Sequence, residues 1–373
     1  MMLQKPNNEK RLFFVVARDL MAILNNASIL KRKRKLLADA AAVTIKAASA
    51  RTSIHGARKR MRKGKSRRQI ARVFEGLDVE KVAKETNLIL RIGARKKFHR
   101  QMLSIAIDIH AIPYHGCHFR SKEEIGRGKQ KEGTTRFHMI ATAYIVGKRK
   151  KRFTLAIMFV RLGTTMRVIV QTLLSLLFKC GVRVDQILLD KGFYSIEVVR
   201  LLMRLNIGFI IPMRGKRLKK QRGSYQTTYC MKSVIGGKPA VQMVNAISVI
   251  KYNRGKRFGQ HGAMQLCFIV YKVHLSLRQI AERYRKRFGI ESSYKLNKAI
   301  RPRTSSRNPA IRLFLFGAAM LIQNLWVEVK LLFCRNVPKA SELMITLRDF
   351  ADVLLQVVRR QYGENLELCS AID

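Results

Sequence analysis

The sequence predicts an α/β protein: a mixed-sheet core with a β-rich insertion, preceded by an all-α basic N-terminal domain and followed by C-terminal helices. Three observations predict it. Residues 1–100 space their apolar side chains at helical intervals, and residues 103–213 alternate strand-like and helix-like runs. Residues 214–275 hold short strand-like runs separated by glycines. The predicted boundaries are 1–100 for the basic helical domain, 101–213 for the first part of the core and 214–275 for the insertion. The second part of the core takes 276–335 and a helical tail 336–373.

The first region is as basic as it is helical. Its apolar spacing is interrupted by a Lys/Arg run at 31–35, and a second cluster, RKRMRKGKSRR, fills 58–68. The piece that follows, SRRQIARVFEGLDVEKVAKETNLILRIG, reads as two helices broken near Gly76, a pattern open to a helix-turn-helix-like module. Arg58, Lys59, Arg60, Arg62 and Lys63 are candidate phosphate contacts. Without base-reading geometry, such residues report phosphate binding and not sequence choice.

In the core, SIAIDIHAI is a strand closed by Pro113 and Gly116. FRSKEEIGRGKQKEG reads as a basic loop in which Glu123, Glu124 and Glu132 are solvated. FHMIATAYIVG and RFTLAIMFVRL are two more strands. TTMRVIVQTLLSLLFKCG is a helix with Thr164 or Thr165 as its cap and Gly181 as its stop. VDQILLD is the fourth strand, SIEVVRLLMRLN a helix and GFIIPM a strand. The insertion brings TYCMKSVIGG, AVQMVNAISVIKYNRG and AMQLCFIVYKVHL. One long helix, SLRQIAERYRKRFGIESSYKLNKAI, then precedes the buried helix NPAIRLFLFGAAMLIQNLWVEVKLLF and a last helix, ITLRDFADVLLQVVRRQY.

Charge narrows the function. The 373 residues carry 75 Lys and Arg against 23 Asp and Glu, a net charge of +52, with an ordinary hydrophobic content of 47%. A folded chain this cationic points to a nucleic-acid partner, because Lys and Arg release condensed counterions from phosphate. Six scattered cysteines show no disulfide or zinc spacing. His110, His115, Cys117 and His118 cluster after Asp108 but match no zinc pattern. The N-terminus lacks a signal-type apolar core, and the greasiest stretch, 313–321, is short of the roughly 20 residues that span a bilayer. These readings predict a soluble intracellular protein with no membrane partner.

Against that background, three acids stand out. Asp108 lies inside an apolar strand, Asp190 at the end of QILLD, and Glu291 within RYRKRFGIESSYKLNK. An unpaired carboxylate in an apolar strand costs several kcal/mol. An acid on a first strand, one after a fourth strand and one on a later helix can converge at one edge of a mixed sheet. Three carboxylates there suit Mg²⁺ or Mn²⁺, and a metal pair about 3.5–4 Å apart clamps both oxygens of an in-line phosphoryl transfer. On a continuous helix, Tyr284, Arg287, Glu291 and Lys298 fall within an arc of about 60°. That face offers a hydroxyl, a guanidinium, a carboxylate and an ammonium to metal and phosphate. An exposed basic helix whose Glu offsets its neighbours fits the same spacing.

Tyr, two residues, Arg, three residues, Glu, six residues, Lys resembles the signature of the insertion sequence four family of DDE transposases, and Tyr284, Arg287, Glu291 and Lys298 match at every position. AIDIHAIPYHG is similar to the family's first-aspartate strand, and LLDKGFYS to its second-aspartate motif, with Lys191 where Arg is more usual. The similarity runs over about 103–329. It implies an RNase H-like core, two Mg²⁺ ions with Mn²⁺ able to substitute, and cut-and-paste transposition of an element bounded by terminal inverted repeats. Asp108, Asp190 and Glu291 would be the catalytic metal ligands, and Tyr284, Arg287 and Lys298 would position the DNA end. Double-stranded DNA, as element end and target, would be the partner of a homodimer on paired ends. Some relatives stack a tryptophan of the insertion on a flipped base during hairpin formation. Here the only tryptophan, Trp326, lies after Glu291, and the insertion offers Tyr225, Tyr229, Tyr252 and Phe258 instead. Two other readings stay open from sequence: an RNase H-like nuclease or resolvase without strand transfer, and a non-catalytic basic DNA-binding protein from a decayed element.

Overall fold

The computed structural model describes residues 6–29, 32–147, 153–214, 223–252, 262–333 and 345–364. Its elements, in chain order, bear out the predicted class. Helices α1 (Pro6–Asn26), α2 (Arg34–Ser49), α3 (Ile54–Lys59), α4 (Arg67–Glu75) and α5 (Val79–Phe98) come first. Strands β1 (Met102–Pro113), β2 (Gly126–Lys131), β3 (Thr134–Ile145) and β4 (Thr154–Val160) follow. Then come α6 (Met166–Lys179), β5 (Arg183–Leu188), α7 (Ile196–Arg204) and β6 (Gly208–Pro212). The insertion supplies β7 (Tyr225–Ile235), β8 (Lys238–Tyr252) and β9 (Ala263–Tyr271). The chain continues through α8 (Leu277–Arg285), α9 (Gly289–Ile300), α10 (Pro309–Phe333) and α11 (Leu347–Tyr362).

The residues form two compact units. One comprises Arg91–His110 and Ala141–Ser292. Its strands run in the order β3-β1-β5-β6-β9-β8-β7, with β4 beside β3. The centre is parallel, Ile105 opposite Ile187 and Ile187 opposite Phe209, and the insertion strands extend the sheet antiparallel from β6. Ile105, Ala106, Ile107, Ile187, Leu188, Phe209 and Ile210 are fully buried. Strands covered on both faces read as unbroken apolar runs without alternation, as these do. Thr165 and Ser195 cap α6 and α7 by accepting from the Val168 and Val198 N–H groups. Asp190 therefore follows the fifth strand of the chain and not the fourth, because the exposed β2 lies in the expected basic loop.

The other unit comprises Met1–Leu90, Ala111–Ile140 and Ser293–Asp373. Here α1, α2 and α11 pack together, and the Glu9 carboxylate, 3% exposed as a residue, is neutralised by Arg360 Nη1 at 2.7 Å. Helix α10 is long and apolar enough to cross a membrane, which the shorter stretch seen in sequence was not, yet 83% of its most apolar window is buried inside the protein. The predicted basic loop is in part a hairpin: Gly126 and Arg127 of β2 pair with Phe137 and Arg136 of β3. β2 is exposed from Arg127 onward, so no apolar alternation betrays it.

Candidate active site

Asp108 lies on β1, where Ile105, Ala106 and Ile107 anchor the strand in the core and leave the carboxyl half-buried at its C-terminal part. Asp190 lies just beyond the end of β5, the parallel neighbour of β1. It caps a single 3-10 turn, Lys191–Phe193, and its Oδ1 accepts from the Gly192 N–H at 2.8 Å. A Cβ at Gly192 would stand 2.9 Å from that same oxygen, so glycine is needed for the close approach. The C-terminal ends of neighbouring parallel strands are where open α/β sheets gather functional groups.

Glu291 lies in the first turn of α9, and the helical run that carries it is not continuous. Between α8 and α9 the backbone tightens into a 3-10 turn at Lys286–Phe288. Tyr144, from β3, reaches this turn, its Oη donating to the Arg287 carbonyl at 2.9 Å and lying 3.4 Å from that of Lys286. Gly289 gives it room, since a Cβ there would stand 3.1 Å from the hydroxyl. The tightening changes the helical phase, so the four signature residues do not share one regular face. Tyr284 and Arg287 are buried, whereas Glu291 and Lys298 are exposed.

Arg287 organises the acids. Its Nη1 lies 3.8 Å from Asp108 Oδ1 and its Nη2 4.0 Å from Glu291 Oε1. The guanidinium packs over the rings of Tyr284 and Phe288, at 5.5 and 5.2 Å from their centroids. Burial pushes the Asp108 carboxyl up to about 7; Arg287 opposes that shift, and the charges of Asp190 and Glu291 add to it. Burial likewise raises the Tyr284 hydroxyl to about 12, keeping it a donor. Asp108 thus feels the charge of both other acids, beside one buried cation.

The donor set fits a hard divalent cation: three carboxylates, one half-buried and repelled by the other two. Among the described residues no group of three or more Asp, Glu, His or Cys side chains closes into a ready cage, and Arg287 stands between Asp108 and Glu291. Asp108, Asp190 and Glu291 are the residues that would hold such an ion.

Lys298 belongs to the other unit, where its Nζ pairs with Glu132 Oε1 at 2.6 Å. Glu132 is therefore not simply solvated. Glu124 departs further from that expectation: it is buried, and its Oε2 accepts from the Phe119 and Arg120 N–H groups at 2.9 and 3.0 Å. Of the basic cluster, Lys59, Arg60, Arg62 and Lys63 are exposed. Arg58 is turned inward, its guanidinium donating to the carbonyls of Met61, Gly64 and Lys65. That arginine shapes the loop that displays the others. Trp326 is anchored through Nε1 to the Ile345 carbonyl at 2.9 Å. The insertion aromatic Tyr229 pairs with Tyr194. Phe258 and the Tyr252 side chain lie outside the described residues.

Sequence reasoning missed Tyr144 and the significance of Glu132. Tyr144 had a signal, a hydroxyl-bearing side chain in an otherwise apolar strand run. Glu132 had none until its partner was known.

Residues 100–325 match the sequence model of a family described as the transposase DDE domain. Among solved structures, the chain resembles one described as a piggyBac transposase synaptic complex with hairpin DNA, determined by cryo-EM. The TM-score is 0.56 at 13% identity, over 97% of this chain and 82% of that one. The likeness is one of fold, and the fold is RNase H-like. No curated protein sequence matches the chain.

Proposed function

This chain belongs to the transposase DDE domain family, and from that premise we propose that it is a DNA transposase cutting and joining DNA at the terminal inverted repeats of an insertion sequence. Within the family we assign it to the insertion sequence four branch, on the signature formed by Tyr284, Arg287, Glu291 and Lys298. The observation that carries the reading is a half-buried Asp108 carboxyl that feels the charges of both Asp190 and Glu291, with Arg287 3.8 Å from Asp108 and 4.0 Å from Glu291.

Asp108, Asp190 and Glu291 would hold the divalent cations, Mg²⁺ with Mn²⁺ as a substitute. Ions held there would supply Lewis-acid chemistry for phosphodiester cleavage and joining. The chain's own residues do the rest. The Gly192 N–H fixes the Asp190 carboxylate, and Tyr144 fixes the 3-10 turn that aims Arg287. Arg287 lies beside Asp108 and Glu291 in the free protein, and with Tyr284 it offers donors to a phosphodiester drawn into the site. Exposed Lys59, Arg60, Arg62 and Lys63 add sequence-independent affinity for double-stranded DNA. A homodimer would bring two ends together.

The test is cleavage of DNA flanking the reading frame by the purified chain with Mg²⁺. Loss of cleavage in Asp190→Asn is expected, and full retention would overturn the assignment. Cleavage without joining to a target would make the protein a nuclease.

A further inference from the structure

The unit that contains Lys298 holds a second cluster of charge, well apart in chemistry from the three acids. Arg301 follows α9, in the irregular segment before α10. Its guanidinium Nη1 is buried and has no hydrogen-bond partner among the described residues. Burial lowers its pKa to about 10; among the described residues, Arg312 also opposes its protonation and Glu132 favours it. Arg312 is itself held in place, its Nε donating to the Ser306 carbonyl at 2.7 Å and its guanidinium 4.7 Å above the Tyr114 ring. Burying cations beside one another costs several kcal/mol unless an anion is brought in.

Among the described residues, the carboxylate acting on Arg301 is Glu132, at the tip of the β2–β3 turn. It is half-exposed, its backbone is left-handed at φ 50°, and it is bonded to Lys298 Nζ. Lys298, Lys131 and Arg301 all pull its pKa down. A single carboxylate on a two-residue turn thus serves three cations, one from β2 and two from the end of α9. The geometry fits a place where an oxyanion is wanted and where the protein supplies a weakly held stand-in.

We propose that Arg301, with Arg312 and Lys298, forms a phosphodiester-binding site for nucleic-acid backbone, and that the Glu132 carboxylate occupies it in the free protein until phosphate displaces it. Phosphate suits the site better than carboxylate, because it carries more acceptor oxygens for a guanidinium and an ammonium together. Displacement moves only an exposed turn. Glu132 thereby sets a threshold that strong polyanions cross and isolated weak acids do not. The inference rests on the reading of the chain as a DNA-acting protein and adds to it a contact independent of the three acids.

The test is binding of the full chain to a short fluorescent DNA duplex in EDTA, which keeps cleavage out of the measurement, over a series of salt concentrations. Arg301→Met is expected to weaken binding about tenfold and to make the salt slope shallower by about one unit. Glu132→Gln, an exposed change that leaves the fold alone, is expected to tighten binding severalfold. Wild-type binding that either variant leaves unchanged in affinity and slope overturns the site while leaving the proposed function standing. Failure of the wild-type chain to bind the duplex at all overturns both.

Discussion

Replacing Asp108 by Asn should make the metal-free protein more stable while abolishing its chemistry. The side chain is only 16% exposed, and burial raises its carboxyl from 3.8 to about 7 even with Arg287 nearby. The sign follows from proton counting. Between about pH 4 and pH 7 the folded state holds a proton that the unfolded chain has released, so stability falls as pH rises through that window. Above pH 7 the penalty is complete. Raising the carboxyl from 3.8 to about 7 is worth roughly 4 kcal/mol, and at pH 5 less than half of it has accumulated. The amide keeps the shape and cannot ionise. Urea denaturation in EDTA, followed by circular dichroism, should show Asp108→Asn more stable by about 2–4 kcal/mol at pH 8, with a much smaller gap at pH 5. Excess Mn²⁺ should raise wild-type stability by mass action and leave the variant nearly unmoved. A variant less stable than wild type at pH 8, or a gap independent of pH, would refute the reasoning.

Four further outcomes are expected. Tyr144→Phe removes the hydroxyl that binds the 3-10 turn and should cost about 1 kcal/mol in denaturation, with lower cleavage activity because Arg287 is no longer aimed; unchanged stability would count against that role. Gly192→Ala puts a Cβ 2.9 Å from Asp190 Oδ1 and should weaken Mn²⁺ binding by calorimetry about tenfold, the equivalent of one lost charge-assisted hydrogen bond; undiminished binding would show that Asp190 tolerates displacement. Glu124→Ala leaves the Phe119 and Arg120 N–H groups without their acceptor and should destabilise by about 1–3 kcal/mol, read as earlier proteolysis in the 115–125 segment. His138 is buried against Tyr114 at 4.5 Å between ring centroids, and its pKa falls from 6.5 to about 3. Its folded form stays neutral where the unfolded chain protonates, so stability is lost as pH falls below 6.5, by about 2 kcal/mol at pH 5. His138→Phe should flatten that part of the acid profile, and an identical profile would exclude His138 as its cause.

What was legible in the sequence were the features with strong local causes. The apolar runs of β1, β5 and β6 announce strands buried on both faces, and Thr165 marks a helix start by a cap the structure contains. Asp108 was conspicuous because an acid in such a run is costly. The features that escaped depend on partners distant in the chain. β2 is polar, pairs with β3 along one edge and carries no period that separates it from loop. The 3-10 turn in the Glu291 segment is bound by Tyr144, more than a hundred residues earlier, and no local propensity forecasts it. Arg58 looked like its neighbours in a run of cations, and only the fold of the 61–65 loop sets it apart. Long side chains declare their charge in the sequence and their use only in three dimensions.

The central claim is that Asp108, Asp190 and Glu291 act together as a divalent-cation site for cutting and joining DNA. The most direct measurement is cleavage of DNA carrying the sequences that flank the reading frame, by wild type, Asp108→Asn, Asp190→Asn and Glu291→Gln, each with Mg²⁺, with Mn²⁺ and with EDTA. The account predicts products from wild type with either cation and none with EDTA, and a loss of at least a hundredfold in every variant while duplex binding persists, since removing one ligand disables a shared site. Cleavage in EDTA, or wild-type rates from any one of the three variants, would contradict it.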